Sequence, residues 1–578
     1  ILDLFFSSFL MSLNAQILTS TPVFPTEIDT VVLIYDATEG NGALENVSPI
    51  WAHTGVITSN SNSDTDWQHV VGDWGTADPD VFMTPIGDNK HKITIPIQSF
   101  YNIDEGEEVY KLAFVFRNVN GTIVGRETDG SDIYFDLFGE GNAITIINPV
   151  SEALFAADAS IEIEALSSDS AILNLLVDNV ELTQDSNANE LTYSIHASDY
   201  NSGAHLVTFN AEFEDETLVD SVVFYILGEL EVLPLPEGMK VGVSINESNP
   251  GEVTFNLFAP GKGLIYLTGD FNDWSFTDEY ILNQDTSGDY HWLTISGLDT
   301  QEEYGYQYVL IDDNFRIGDP YCEKVLDPWN DSYIDEATYP DLKPYPNGLA
   351  QGIVSVFQIE QEEFDWTDQS YVRPDKENLV VYELLVRDFI EAHSYQVLLD
   401  TLNYLDSLGI TAIELMPVNE FEGNESWGYN PNYFLAPDKY YGPKNAYKEF
   451  INECHSRGIA VIMDIALNHS FGLNPQVQMY FDPNTGQWGQ PTPESPWFNP
   501  IPKHDYNVGY DYNHESIYTK KFVDSVLIHW VTEYHIDGYR MDLSKGFTQT
   551  NTLGDVAAWG EYDQSRINIL SAYADHIW

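Results

Sequence analysis

The stretch HIDGYRMDLSKGF, from His535 to Phe547, holds the residues on which the predicted fold and chemistry of this 578-residue chain depend. Its short apolar run predicts a β-strand, with Arg540 and Asp542 two residues apart. Side chains at that spacing project from the same face of a strand, so the guanidinium and the carboxylate are expected to lie side by side. A neighbouring cation favours the ionised form of a carboxylate. The stretch therefore predicts an anionic group held in place at the end of a strand.

The residues before and after this stretch alternate between strand and helix patterns. The strand-like runs are LVVYELLV, TAIELMPV, IAVIMDIAL and IDGYRMDL, and the helical stretches include SYQVLLDTLNYLDSLG, NAYKEFINECHSRG, KKFVDSVLIHWVTEYH and SRINILSAYADHIW. Such alternation is typical of a parallel sheet with crossover helices. In a (β/α)8 barrel the polar residues just after each strand form the active site. Four strand–helix units predict the first half of such a barrel.

The first part of the chain has a different pattern. From about Ile17 to Tyr345, short alternating runs such as KITIPIQSF and KLAFVFRNV are separated by Gly, Asn and Asp turns, which is typical of all-β sandwiches. The length predicts several domains. The boundaries are a segment at 1–16, β-sandwiches at 17–146, 147–236 and 237–345, and a linker with the half-barrel at 346–578. The predicted fold is therefore N-terminal all-β sandwich modules followed by the first half of a (β/α)8 barrel.

Acidic residues dominate the composition. The net charge is −69, and residues 379–578 contribute 11 Lys+Arg against 26 Asp+Glu, so most of the negative charge lies in the first 378 residues. Such a surface repels nucleic acid and anionic membranes and favours a neutral partner. Solubility in a salty medium, where self-repulsion is screened, is the alternative explanation. Two cysteines far apart in the sequence exclude a disulfide scaffold and a cysteine metal site.

The opening ILDLFFSSFLMSLNAQ resembles the apolar part of a secretory signal, with small residues before a cleavage point after Ala15. An ordinary buried strand is the alternative. No other segment has the length and apolarity of a membrane span. These features predict a protein that is secreted or held at the cell surface of a bacterium.

Three sequence stretches carry a family resemblance. DIALNH and GYRMDLSKG resemble two conserved regions of the α-amylase family of glycoside hydrolases (family 13), and WGYNPNYFLAPDKYYG is similar to an aromatic loop of its branching and debranching members. The three occur in the family's order on successive predicted strands. The resemblance implies a retaining glycoside hydrolase that acts on α-glucans such as starch, glycogen and pullulan.

The resemblance also implies roles for individual residues. Asp542 would be the nucleophile, with Arg540 as its electrostatic partner; His469 would hydrogen-bond sugar hydroxyls, and Tyr429 would stack beneath the sugar ring. The remaining substrate-side candidates are Asp464, which matches a structural carboxylate, and Trp427 and Lys545 in the same motifs. Asn468 matches a position that often binds calcium, and no organic cofactor is expected.

Each of these residues also has a structural alternative. Arg540 and Asp542 could form a plain ion pair at the sheet edge, His469 could be a hydrogen-bonded core histidine, and Tyr429 could serve only in packing. Asn468 could cap a loop, since asparagine does so readily. The combination of motifs on successive strands favours the functional interpretation.

Two features depart from the family. Gly546 stands where the family commonly has a histidine that contacts substrate or calcium, which weakens the calcium prediction and argues against an ordinary endo-acting amylase. Retaining hydrolysis also needs a second carboxylate about 5 Å from the first. The resemblance places this glutamate at the end of strand five, beyond Trp578, and Glu561 leads into a helix instead. We therefore expect the chain as given to be a fragment that lacks the general acid and does not turn over.

The β modules offer weaker signals. YLTGDFNDWSF resembles the starch-binding-like sandwich that precedes the barrel in branching and debranching enzymes, and its Trp274 could either stack on glucose or help buttress the barrel. The first module is similar to modules ahead of amylase-type barrels in secreted bacterial proteins. Its Trp51, Trp67 and Trp74 are binding candidates, although core packing is the favoured interpretation. The middle module resembles an immunoglobulin-like spacer.

Three functions remain open from the sequence. The first is an α-glucan hydrolase, the second a branching or transglycosylating enzyme, and the third a non-catalytic glucan-binding surface protein with a degenerate barrel. An α-glucan is the expected partner in each case. Nucleic acid and a membrane span are not expected, and the chain is expected to be monomeric.

Overall fold

The computed structural model describes residues 17–127, 130–139, 141–151, 153–313, 315–483, 485–486 and 488–577. The predicted signal-like segment at 1–16 lies outside the described residues. The chain divides into two compact units: the first runs to Glu229 and includes Phe276–Glu279, and the second contains Leu230–Ser275 and Tyr280–Trp578. The five sequence-based domains stay a prediction within this division.

The first unit consists of strands with few helical turns, and all but one of the strand pairs described in it are antiparallel. Its elements are β1 (Leu18–Thr21), β2 (Thr30–Asp36), β3 (Ile50–Thr58), β4 (Gln68–Val71), β5 (Phe82–Gly87), β6 (Lys90–Pro96), α1 (Ile97–Phe100), β7 (Val109–Arg117), β8 (Val124–Gly125), β9 (Ile133–Asp136), β10 (Ile144–Asn148), β11 (Ala153–Phe155), β12 (Ser160–Val177), β13 (Val180–His196), β14 (Gly203–Glu212) and β15 (Thr217–Ile226).

These strands form two separate sheets. One has the order β1-β2-β6-β5-β3-β7-β8, with β4 paired to β3 and β9 to β7; the other has the order β10-β12-β14-β15-β11, with β13 paired to β12. Buried and exposed side chains alternate along β2 and β12, as expected for strands with one face on a core. Isoleucine, leucine, valine and phenylalanine fill both cores.

The second unit begins with further antiparallel strands: β16 (Gly242–Ile245), β17 (Glu252–Phe258), β18 (Ile265–Gly269), β19 (Asn283–Gln284), β20 (Tyr290–Ser296), β21 (Glu303–Leu310), β22 (Phe315–Ile317), β23 (Val325–Leu326) and β24 (Val354–Gln358). They pair in the orders β16-β17-β20-β19 and β18-β21-β24-β23, with β22 beside β21. Because β24 pairs with β21, this all-β part continues past the predicted boundary at residue 345.

The rest of the second unit alternates strands and helices. Its elements are β25 (Val381–Leu384), α2 (Val386–Phe389), α3 (Tyr395–Ser407), β26 (Ala412–Leu415), β27 (Asn419–Phe421), β28 (Pro431–Pro437), α4 (Lys444–Ser456), β29 (Ala460–Ile465), β30 (His469–Ser470), α5 (Pro475–Gln478), β31 (Phe481–Asp482), β32 (Gln490–Pro491), β33 (Tyr510–Asp511), α6 (Ile517–Tyr534), β34 (Gly538–Met541), α7 (Val556–Trp559) and α8 (Gln564–Ile577).

Strands β25, β26, β29 and β34 form one parallel sheet in that order, so successive strands along the chain are neighbours in the sheet. The helices start and stop where the sequence provides signals. Ser394 caps α3 by accepting a hydrogen bond from the Val397 amide, and Ser516 caps α6 in the same way. Gly409 follows α3 with φ of +75°, a conformation that glycine adopts without strain. The predicted order of strands and helices from Leu379 onward is present.

Aliphatic and aromatic residues on the inner faces of the helices pack against this sheet, and Trp530 of α6 is fully buried among them. The carboxyl ends of the four strands lie along one edge, so the loops that follow them share that edge. Among the helices described, none combines the length and the apolarity that crossing a bilayer requires.

Candidate active site

Arg540 connects two carboxylates at the carboxyl ends of β29 and β34. Its Nη1 donates to Oδ1 and Oδ2 of Asp464 at 3.0 and 3.1 Å and to Oδ1 of Asp542 at 2.6 Å. The parallel register sets Asp464 directly beside Arg540, and the Asp542 amide donates to the Ile465 carbonyl at 2.9 Å. The predicted neighbourhood of Arg540 and Asp542 is therefore present, with Asp464 as a third member.

The two carboxylates have different environments. The side chain of Asp464 is fully buried, whereas that of Asp542 is 20% exposed. Burial raises the pKa of Asp464 to about 6, against the opposing effects of a hydrogen bond from Tyr429 and the charge of Arg540. Asp464 is thus enclosed by its donors, and Asp542 is the carboxylate that a ligand can reach.

Tyr429 lies in the loop between β27 and β28, and its hydroxyl donates to Oδ2 of Asp464 at 2.6 Å. His469 fixes the same loop, because its Nε2 lies 2.8 Å from the Tyr429 carbonyl oxygen. His469 is fully buried, and burial lowers its pKa, which favours the neutral ring that donates through Nε2. Its Nδ1 has no hydrogen-bond partner in the part of the chain described. The structure therefore brings Tyr429, His469, Asp464 and Arg540 together.

A buried ion cluster supports the hairpin that carries Tyr429. Nζ of Lys439 lies 2.7 Å from Oε1 of Glu420, on β27, and 3.3 Å from Oδ1 of Asp331. Burial raises the pKa of Glu420 to about 7, and the charge of Lys439 opposes that rise. An ion cluster with so little solvent access fixes geometry more than it adds stability. It ties the β27–β28 hairpin to the all-β part of the same unit.

The calcium site suggested at Asn468 stays a prediction, and its side-chain oxygen faces a histidine ring. Calcium takes six to eight oxygen ligands, but Oδ1 of Asn468 faces Nε2 of His504 at 3.2 Å. The buried His504 ring has a pKa lowered by its burial, so the neutral imidazole can donate its N–H to this oxygen. Gly546 lies against the same pair, and a Cβ there would collide with Asn468 Oδ1 and lie 2.5 Å from His504 Nε2. The group next to Asn468 Oδ1 is thus an imidazole.

Trp427 and Lys545 lie on the outer part of the site. Trp427 is 60% exposed, in the same loop as Tyr429. Nζ of Lys545 lies 5.2 Å from the ring centroid of Trp559, whose other contacts are stacked rings of Tyr506, at 4.6 Å, and His504. Both predicted residues therefore stay accessible, and Lys545 belongs to an aromatic cluster that the sequence analysis missed.

Trp274 is buried, whereas an aromatic ring on which a sugar stacks must be exposed. It is 6% exposed, packs with Leu326, Val354 and Val356, and donates through Nε1 to Asp270 at 3.0 Å. A buried ring offers no free face to a pyranose. Its position favours the structural alternative, in which this part of the chain supports the parallel sheet.

A group of three carboxylates lies on neighbouring strands, and the sequence analysis foresaw only part of it. Ligand oxygens of Glu383, Glu414 and Asp464, on the adjacent strands β25, β26 and β29, lie within 4.8 Å of one another. Burial and the nearby charge of Glu383 raise the pKa of Glu414, while Arg540 opposes the rise. The sequence analysis named Asp464 as a site candidate but neither of the two glutamates. The signal for both glutamates was their place in the quoted strand-like runs LVVYELLV and TAIELMPV.

The parallel sheet thus carries a cation-bound pair of carboxylates at its carboxyl edge. Residues 394–567 match the family model described as the alpha amylase catalytic domain. For this segment, the match confirms the resemblance to the α-amylase family that was inferred from its motifs.

Three characterised relatives are similar to part of the chain. The malto-oligosyltrehalose trehalohydrolase of Saccharolobus solfataricus is 29% identical over 307 residues, which is 53% of this chain and 46% of that protein. Isoamylase 1 of Arabidopsis thaliana is 29% identical over 269 residues, 40% of this chain and 33% of that protein. The 1,4-α-glucan branching enzyme of Cupriavidus pinatubonensis is 28% identical over 336 residues, 55% of this chain and 42% of that protein. The aligned part is thus less than half of each relative's length.

Proposed function

We propose that the protein is a retaining α-glucan-active enzyme in which Asp542 is the nucleophile. The observation that carries the proposal is the hydrogen bond of 2.6 Å from Arg540 to a carboxylate that remains partly exposed at the strand end. Asp542 attacks the anomeric carbon of a glucosyl unit and forms a covalent glycosyl-enzyme while the glycosidic oxygen leaves. Water or another sugar hydroxyl then attacks the same carbon, which releases the sugar with retained configuration.

The neighbouring residues position this nucleophile. Arg540 holds one oxygen of Asp542, so the other oxygen is free to point at the sugar, and Asp464 keeps the guanidinium in place. Tyr429, fixed at its hydroxyl by Asp464 and at its carbonyl by His469, offers a ring face against which a pyranose can pack. Trp427 and Lys545 would contact sugar units further from the reacting carbon.

Protonation of the leaving oxygen requires a second carboxyl group. Asp464 is unsuited to this role, because Arg540 and Tyr429 already donate to both of its oxygens. We assign the role to the glutamate that the family resemblance places at the end of strand five. The four parallel strands would then be the first half of a (β/α)8 barrel, preceded by all-β sandwiches. The strand orders and the match to the catalytic-domain family support this architecture.

Transglycosylation is the second candidate, since one of the three relatives is named a 1,4-α-glucan branching enzyme. The chemistry at Asp542 is the same in both cases, and the acceptor, water or sugar, decides between them. Product analysis on amylose and pullulan separates shortened chains from newly branched ones. Secretion, a bacterial cell-surface location, an α-glucan partner and a monomeric state stay predictions from the sequence.

The test is covalent trapping in the full-length protein. A 2-fluorinated glucosyl donor forms a long-lived glycosyl-enzyme, and peptide mapping by mass spectrometry should find the sugar on Asp542. Asp542→Asn should abolish labelling and lower kcat by a factor on the order of 10⁴ or more, since nucleophile and acid act as one unit. Asp575→Asn, at an exposed position on α8, is the matched control and should keep both. A label on a different side chain, with Asp542→Asn still active, would disprove the assignment.

A further inference from the structure

The first unit carries a row of aromatic rings at the surface. Trp67, His53 and Trp74, hereafter the aromatic face, follow one another on and beside β3 and β4. The rings of His53 and Trp67 are stacked with centroids 5.9 Å apart, and the His53 ring meets Trp74 edge to face at 5.5 Å. Trp74 is 47% exposed, whereas Trp51 is buried and packs against Phe82 in the core. The favoured sequence interpretation, core packing, therefore holds for Trp51 but not for Trp74.

The ring of Trp74 is held in place by its surroundings. Gly121 lies against one side of the ring, with φ of +67°, and a Cβ at that position would lie 2.5 Å from Trp74 Nε1. On the same ring, the Arg117 guanidinium carbon lies 5.7 Å from the centroid. A large apolar side chain that is fixed and yet exposed loses little conformational entropy when it binds a partner.

Arg117 fixes the two loops on either side of Trp74. It is fully buried, and its Nη2 donates to the carbonyls of Asp73 at 2.7 Å and Thr76 at 3.0 Å. Its Nη1 donates to the carbonyls of Asn118 and Val119 at 3.2 and 3.1 Å. A buried guanidinium is costly to desolvate, and this one is used to join backbone segments that carry and support an exposed tryptophan.

The other end of the aromatic face is equally constrained. Nε1 of Trp67 donates to the Tyr134 hydroxyl at 3.1 Å, and Gly55 lies beneath the ring, where a Cβ would be 3.2 Å from Trp67 Cε3. Nδ1 of His53 lies 2.5 Å from the Gly72 carbonyl oxygen, which holds the middle ring. Two tryptophans are thus each placed over a glycine, with a fixed histidine between them.

The charge of the surrounding surface narrows the choice of partner. Most of the chain's net charge of −69 lies in its first 378 residues, and Asp66, Asp73 and Asp78 are close in sequence to the two tryptophans. Anionic polymers are therefore repelled. A pyranose ring is neutral, presents C–H groups on its face to an aromatic plane, and has hydroxyls at its rim that remain in water.

We propose that the aromatic face is a binding site for the α-glucan chain, separate in sequence from the residues around Asp542. This inference rests on the proposed function for its choice of glucan. Trp74, the exposed ring, stacks on one sugar unit, and the half-buried Trp67 and His53 border the units that follow it. The site would keep the protein on a polymeric substrate between catalytic events, because two linked binding sites raise the effective concentration of each.

The test measures retardation of the full chain in native gels that contain glycogen. Trp74→Ala should weaken retardation at least about tenfold in apparent Kd, as expected for a central aromatic contact. Trp74→Phe keeps a smaller ring and should lose less, and Gly121→Ala should weaken binding although Trp74 is still present. Tyr110→Ala is the matched control, since Tyr110 is 46% exposed in the same sheet but away from the aromatic face. It should bind like the parent chain.

Parallel measurements separate this inference from the proposed function. Tyr429→Ala alters the candidate active site and should leave much of the retardation in place. Loss of retardation in Tyr429→Ala with none in Trp74→Ala would overturn the inference and leave the proposed function standing. Three other results would also overturn the inference. Trp74→Ala could bind as well as the parent chain, or glycogen could fail to retard the parent chain. The third result is retention of the parent chain by immobilised oligolysine instead of glycogen.

Discussion

Replacing Asp464 with asparagine tests how the candidate site is held together. The side chain of Asp464 is fully buried, and its pKa is raised from 3.8 to about 6, chiefly because burial disfavours the ionised form. Its folded-state pKa therefore lies above its unfolded value. The carboxyl group contributes stability that is fully present below about pH 3.8 and is lost as the pH rises through about 6. Asparagine has nearly the same shape and does not titrate.

The expected change in the free energy of unfolding follows from the size of the pKa shift of Asp464. About two pKa units at 1.36 kcal/mol each correspond to about 3 kcal/mol, the free energy that ionised Asp464 costs the folded state at neutral pH. Part of that cost is already present at about pH 5. Between about pH 5 and about pH 7.5 the parent chain should lose about 1.4 kcal/mol relative to Asp464→Asn, which is a factor of about ten in an equilibrium constant.

Amide hydrogen exchange measures this difference in stability in the segment of the chain that contains Asp464. A chain of several domains does not unfold in one step, so the exchange of peptides covering Ala460–Ile465 is preferable to a global melting curve. The ratio of exchange rates, parent over variant at one pH, should increase about tenfold between the two pH values. Asp575→Asn, which removes an exposed charge, should show a constant ratio. A constant ratio for Asp464→Asn would refute the idea that its burial is costly.

Two further predictions concern the region around Asn468. Gly546→Ala should destabilise the fold by about 1–3 kcal/mol, because the added Cβ collides with Asn468 Oδ1 and lies 2.5 Å from His504 Nε2; an unchanged thermal midpoint of the second unit would contradict this crowding. Treatment with a chelator should leave the thermal midpoint and the exchange of peptides around Asn468 unchanged, because Asn468 Oδ1 already has the His504 imidazole as its partner. A midpoint that falls with chelator and recovers with added calcium would show that an ion binds there.

The parts of the fold that the sequence predicted are those encoded by local patterns. Buried strands such as IAVIMDIAL and amphipathic helices with a terminal glycine are visible in a short window, so the alternation from Leu379 onward was foreseen. The contact between Arg540 and Asp542 was foreseen for the same reason, since a period of two fixes it. The contact between Arg540 and Asp464 depends on how β29 and β34 align, and no local sequence pattern determines the register of parallel strands.

Burial by distant parts of the chain could not be predicted in this way. Trp274 lies in a motif that suggested a surface platform, but Leu326 and Val354, far along the chain, cover it. Trp74 shows the opposite outcome: core packing was favoured, yet the ring is nearly half exposed, although Gly121 and Arg117 lie against it. Exposure of an aromatic residue is a property of tertiary packing, and a single sequence gives only its composition and spacing.

The glycine at position 546, where the family commonly has a histidine, lies beside the side chains of Asn468 and His504. The family commonly has a histidine at this position, and its loss suggested a weakened site. In the structure an imidazole still lies beside Asn468, but it belongs to His504, some forty residues earlier, and it approaches from the loop before β33. Position 546 has no room for a side chain once that ring is in place, because its Cβ would overlap with both groups. The absence of a side chain at position 546 is therefore required by the position of His504.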